Sequence, residues 1–183
     1  ERFLDSPTSQ NNNVTTGKIY QTVIEKERKG DFLGKTVQVI PHITNEIKRR
    51  IKMLSKKDYD IIITEIGGTV GDIESLPYIE SVRQLQWELG KNNSMVIHLT
   101  LLPYLASSGE LKTKPSQHSV RQLMESGIQA DVLVCRTEHT IPKEQKAKLA
   151  QFCNVGLGNV IECIDMDTIY EVPLYLQKQN FDE

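Results

Sequence analysis

Residues 112–117 read Lys112, Thr113, Lys114, Pro115, Ser116, Gln117: two ammonium groups around a hydroxyl, then a stiff proline, a second hydroxyl and an amide. Such a stretch beside a helix N-terminus can cradle a polyphosphate; two lysines in a loop equally suit a solvated basic surface. Glu65 closes the apolar run "DYDIIITE". An acid at the end of a buried strand in a phosphate-binding fold suits Mg2+, directly or through water, and also suits capping of the next loop. Gly67, Gly68 and Gly71 follow, letting backbone approach a ligand or simply turn. Asp72 and Glu74 then stand at a predicted helix start, where they complement the dipole or accept hydrogen bonds from ribose hydroxyls or an exocyclic amine. Arg136 follows "VLVC", placed to stack on a base or to pair with a surface acid. Lys148 lies in "KEQKAKLA", where lysines on one helix ordinarily face water.

Other chemistries lack their patterns. The four histidines include no H-x-x-x-H pair and the three cysteines no C-x-x-C, so zinc has no ligand set. His98 sits in an apolar run and reads as a satisfied interior histidine. Ser107 and Ser108 lack the G-x-S-x-G elbow of a hydrolase. Residues 30–36, "GDFLGKT", imitate a Walker A loop, but three residues rather than four separate Gly30 from Gly34. Charged residues precede the segment and strand-like "TVQVI" follows, the reverse of a strand-to-helix phosphate loop. It reads as a turn feeding a strand.

The elements that must position these groups alternate. Helices are predicted from Thr15 or Thr16 to about Arg28, from Thr44 or Asn45 to about Lys57, through "LPYIESVRQLQWELG" to Gly90, around Val120 to Glu125, from Pro142 to about Phe152, and from Pro173. Strands are predicted at "TVQVI", "DYDIIITE", "SMVIHLTLL", "ADVLVC" and "NVIECI", with a long loop over 103–119 and a polar, mobile loop at 6–13. This is an α/β pattern: a mostly parallel sheet with helices on both faces, whose ligands bind beyond the C-terminal strand ends. At 183 residues the chain makes one domain or most of one, and its net charge of −2 gives no pull toward nucleic acid or anionic membrane. No apolar run approaches a membrane span, and the cysteines suit free thiols in a reducing cytoplasm.

Four strings, "NNNVTTGKIYQTVIEKERKGDFLGKTVQVIPHITNEI", "EIGGTVGDIESLPYIE", "SGELKTKPSQHSV" and "FCNV", together resemble the synthetase (amidoligase) domain of the CTP synthase family, in order and over essentially all of the chain. The resemblance implies a P-loop NTPase-like fold related to dethiobiotin synthetase. It also implies a reaction in which ATP phosphorylates uracil O4 of UTP and ammonia displaces the phosphate to give CTP. Under it, Glu65 matches a Mg2+ ligand, and Asp72, Ile73 and Glu74 the segment that recognises CTP. Lys112, Thr113, Lys114, Pro115, Ser116 and Gln117, with Lys148, match the UTP/CTP-binding residues, Ser116 standing where threonine is common. Arg136 matches an arginine beside the ATP adenine, and Ile164, Asp165 and Met166 a stretch that reads that base. Residues 30–36 become a family segment near the ammonia route.

The same resemblance places the Walker A loop, its lysine and a second Mg2+-binding aspartate upstream of Glu1, and a glutaminase domain that supplies ammonia downstream. Residues 1–183 are then expected to be a single partial amidoligase domain, incomplete at its N-terminus, holding no catalytic lysine and inactive alone. A homotetramer, with pyrimidine sites straddling subunits, is expected of the intact cytoplasmic enzyme.

Overall fold

A computed structural model describes residues 3–56 and 59–182. The chain divides into two compact units, Glu1–Glu88 and Leu89–Glu183.

The first unit is built on helix pairing. Helix α1 (Thr16–Arg28) starts where the Thr15 hydroxyl accepts from the Lys18 N–H, and buries Ile19 and Val23, four residues apart on one face. Helix α2 (Thr44–Ile51) sets Ile47 against them, with Ile43 just before it. The helix predicted to reach Lys57 ends earlier. Met53 N–H bonds Arg50 O and Ser55 N–H bonds Lys52 O, so the chain tightens into a 3-10 turn at Leu54–Lys56. Helix α3 (Leu76–Leu89) stops before Gly90, whose φ of 76° is the left-handed value expected past a helix end.

Residues 30–36 do form a turn, closed by Leu33 N–H to Gly30 O and Lys35 N–H to Phe32 O, each 3.0 Å. Two strand predictions fail here. "TVQVI" passes without a ladder into the Val39–Ile43 turn that enters α2. The described part of "DYDIIITE", residues 59–65 (Asp58 lies outside the described residues), is neither paired nor buried: Ile61 is 80% and Ile63 91% exposed. Apolar β-branched sequence favours extended backbone, but a strand exists only when a neighbour accepts its hydrogen bonds. Every ladder among the described residues lies in the second unit.

That unit is an α/β sheet, mostly parallel and flanked by helices. Strands β1 (Ile97–Leu102), β4 (Val132–Thr137) and β5 (Val160–Ile164) pair in parallel in the order β1-β4-β5. Helix α4 (Lys114–Glu125) connects the first two strands and α5 (Lys143–Cys153) the next two, since parallel neighbours need a long crossover. Val120 of α4 and Leu149 and Cys153 of α5 pack with Leu102, Leu133, Cys135 and Val160 in one core. Central β4 is covered on both faces at Leu133, Val134 and Cys135. Strand β1, expected to be buried throughout, alternates instead: His98, Thr100 and Leu102 are buried, Ile97, Leu99 and Leu101 exposed. It borders the sheet, and only one of its faces is packed.

The predicted long loop 103–119 contains a small hairpin, β2 (Tyr104–Leu105) with β3 (Glu110–Leu111), and then the first turns of α4, which begins six residues before Val120. Pro115 falls in the first turn, where a missing N–H costs nothing, so the polar run "KPSQHS" is helical despite having no apolar period. Helix α6 (Glu171–Gln177) then reaches the outer edge of β5, where the Gln179 amide bonds both the N–H and the C=O of Glu162, at 3.0 and 2.8 Å. A side chain thereby closes an edge that would otherwise offer open ladder groups.

Candidate functional site

In the first unit a cavity of about 620 Å³ holds Glu65, Gly67 and Glu74. The chain between the two carboxylates turns at Gly68 and Gly71, whose φ values of 92° and 101° disfavour any residue with a Cβ. Buried Ser75 fastens the turn: its hydroxyl donates to Thr69 O and Asp72 O, at 3.1 and 2.9 Å, and its own carbonyl takes the N–H groups of Tyr78 and Ile79. Helix α3 is thus anchored by Ser75. Among the described residues neither Asp72 nor Glu74 caps it with a hydrogen bond, and both are exposed with Ile73.

Could these residues hold a divalent cation? The donors are carboxylate oxygens with side-chain amides nearby, the hard set that Mg2+ prefers. Among the described residues no group of three or more His, Cys, Asp or Glu could hold a metal. Such an ion would be completed by water and a ligand's phosphates, its usual arrangement in nucleotide sites. The donor set fits on those terms.

In the second unit Arg136 and Ile164 lie at the ends of β4 and β5, Ser116 reaches the end of β1, and Lys148 lies midway along α5. Lys112 pairs with Glu110 on the hairpin, and Thr113 Oγ1 accepts from Gln117 Nε2 at 3.0 Å. Ser116 is fully buried, at 0% exposure, and its hydroxyl donates to Leu101 O at 3.1 Å. One turn on, Ser119 Oγ lies 2.9 Å from His98 Nε2, so two polar contacts seat α4 on β1. Burial lowers the His98 pKa, which keeps the ring neutral in that seam. Lys114 and Pro115 are left facing outward, as is Lys148 on α5; neither lysine has an ion-pair partner among the described residues. Arg136, at the end of β4, stands 3.6 Å from Asp165 just past β5, a loose pair with side chains 65% and 58% exposed. The main chain is firmer there, Asp165 N–H donating to Thr137 O at 3.1 Å, with Ile164 and Met166 half-buried on either side.

Several supporting groups escaped the sequence reading. Glu162, mid-strand in β5 and buried, accepts from Ile141 N–H at 3.0 Å and Tyr175 OH at 2.5 Å, with Lys146 Nζ at 3.4 Å. Burial opposes its charge, but those partners outweigh it and hold the carboxyl below its usual pKa. An acid inside "NVIECI" was the available signal, because a buried charge demands partners. Burial also pushes the Cys135 and Cys153 thiols up to about 11, which makes them poor nucleophiles.

Residues 1–183 match the protein family described as CTP synthase N-terminus. The chain belongs to the CTP synthase family. CTP synthase of Flavobacterium johnsoniae is 70% identical over 183 residues, covering 100% of this chain and 34% of that protein. Those of Christiangramia forsetii and Cytophaga hutchinsonii are 69% and 64% identical over 184 residues, with the same coverage. The chain therefore spans about a third of the length of these CTP synthases and corresponds to their N-terminal part. Among the described residues no helix is long and apolar enough to cross a membrane.

Proposed function

We propose that this chain supplies much of the UTP/CTP site and part of the ATP site of a cytoplasmic CTP synthase, a ligase of pyrimidine biosynthesis. The observation that carries the reading is the family match over all 183 residues, with 70% identity to the CTP synthase of Flavobacterium johnsoniae. ATP phosphorylates O4 of the uracil ring, giving ADP and turning a poor oxygen leaving group into phosphate. Ammonia then attacks C4 and expels that phosphate.

Lys114 and Lys148, exposed and without ion-pair partners among the described residues, neutralise phosphates of the pyrimidine nucleotide. Lys112 and Gln117 join them from the same segment, while Thr113 and Ser116 shape it from beneath. Asp72, Ile73 and Glu74 recognise CTP. Arg136 exchanges its loose contact with Asp165 for the adenine face, and Ile164, Asp165 and Met166 present backbone to the base edge. Glu65 holds Mg2+, whose chemistry when bound is neutralisation of phosphate charge. Ammonia comes from a glutaminase domain, and the working enzyme is a homotetramer. The 183 residues contain no Walker A loop and are inactive alone.

The test is ammonia-dependent CTP formation by the full-length protein with UTP, ATP and Mg2+. Turnover is expected there and not from residues 1–183; failure of the full-length protein would overturn the reading. Lys114→Ala should raise KM for UTP and Kd for CTP by about 10- to 100-fold, the range of a charge-assisted hydrogen bond. KM for ATP should move far less. Equal loss for all three nucleotides would refute the assignment of Lys114.

A further inference from the structure

We propose that Glu162 is a positioning residue of the ATP site: buried in β5, it braces the two loops that carry the adenine-side groups. This role rests on the assignment of Arg136, Ile164, Asp165 and Met166 to ATP above, and gives that site its support.

Each loop leaves the C-terminal end of a strand. Residues 138–141 follow Arg136 and Thr137 of β4, and residues 165–170 follow Ile164 of β5. At their starts the loops are tied together by Asp165 N–H on Thr137 O. Thr137 also folds the first loop back, its hydroxyl donating to His139 O at 3.0 Å and accepting from His139 N–H at 3.3 Å. The far ends run into α5 and α6, and both are drawn to Glu162. Its Oε2 accepts from the N–H of Ile141, just before Pro142 opens α5. Its Oε1 accepts from Tyr175 OH in α6, and Gln179 holds the Glu162 backbone from the C-terminal side of that helix. One carboxylate thus fixes the closing end of both loops.

A buried acid is a costly fastener, and an apolar side chain could fill the same seam. What the acid adds is direction, because a fully satisfied buried network rigidifies its surroundings. Burial and this carboxylate push the Tyr175 phenol up to about 12, so the hydroxyl stays a donor at neutral pH. Direction matters just beyond the strand end. A backbone edge reads a base only while its N–H and C=O groups point correctly, since hydrogen bonds weaken steeply off axis.

Tyr175→Phe keeps the ring and removes the donor on Glu162 Oε1. In the full-length protein with Mg2+ present, it should raise KM for ATP by about 5-fold, the scale of one hydrogen bond. KM for UTP, and kcat at saturating ATP, should stay put. Glu162→Ala releases both loops and should raise KM for ATP further. Glu162→Gln can still accept from Ile141 N–H and donate to Tyr175, so it should keep KM for ATP near the parent value. A merely structural contact would lower the thermal midpoint and the active fraction, hence kcat, and leave KM for ATP unmoved. That result, or a parallel rise in KM for UTP, would overturn the proposal; should Glu162→Ala not fold, Tyr175→Phe decides it. Arg136→Ala separates the two levels. If it raises KM for ATP while Tyr175→Phe and Glu162→Ala do not, the brace is wrong and the ATP reading stands. If all three variants keep the parent KM for ATP, both fall.

Discussion

Glu46→Gln is expected to destabilise the 183-residue chain by about 2–3 kcal/mol at pH 7, measured by urea unfolding. Glu46 is only 3% exposed and is gripped from two helices. Arg49 and Arg50, three and four residues on in α2, reach it at 2.5 and 2.9 Å, and Lys26 from the last turn of α1 at 3.1 Å. Burial by itself would raise the carboxyl pKa. The hydrogen bonds from Arg49, Arg50 and Lys26 outweigh it and bring the value down from 4.5 to about 2. A full difference of that size corresponds to roughly 3 kcal/mol, and the partial exposure of the three cations argues for somewhat less.

The sign of the pH dependence follows. A folded-state pKa below the unfolded one gives stabilisation that is complete above about pH 4.5 and is lost as pH falls toward about 2. The parent chain should therefore weaken through that window more steeply than Glu46→Gln. Glu80 is the control. Its pKa is also about 2, mainly through its hydrogen bond with Arg83, but the side chains are 24% and 43% exposed. Solvent screening should hold the cost of Glu80→Gln within about 1 kcal/mol. Equal costs for the two substitutions would show that burial does not set the value of the Glu46 cluster.

The largest effect on activity is expected at Glu65. Glu65→Gln in the full-length protein should slow CTP formation by about 10²- to 10³-fold, the scale of losing one electrostatic stabiliser. It should also raise the Mg2+ concentration needed for half-maximal rate. Gln keeps the shape and one oxygen but loses the negative charge that a hard cation requires. The residue is exposed and makes no ion pair or hydrogen bond among the described residues, so the thermal midpoint should not move. An unchanged Mg2+ dependence would remove Glu65 from the metal site.

Legibility in the sequence followed the range of the forces involved. Helix α1 was readable because a capping hydroxyl and a four-residue apolar repeat are local features. The start of α4 was not, because its first two turns are polar and are held by Ser116 on Leu101 O and Ser119 on His98, partners visible only once β1 lies alongside. The apolar run before Glu65 misled for the complementary reason: local preference for extended backbone does not supply a neighbouring strand. Ser116 shows the same division inside one motif. The polar motif that contains it is legible in the string, whereas the burial of its hydroxyl against Leu101 O is not.

By itself the sequence determined the family, the α/β alternation in the second half, the composition of each candidate motif and the failure of residues 30–36 as a Walker A loop. Those depend on residue identity and short spacing. Only the tertiary structure decided that Glu46 and Glu162 are buried among partners, and that Thr113 and Ser116 point inward. Each of these is a contact between side chains distant in sequence or an orientation set by packing, created when the chain folds and excludes water.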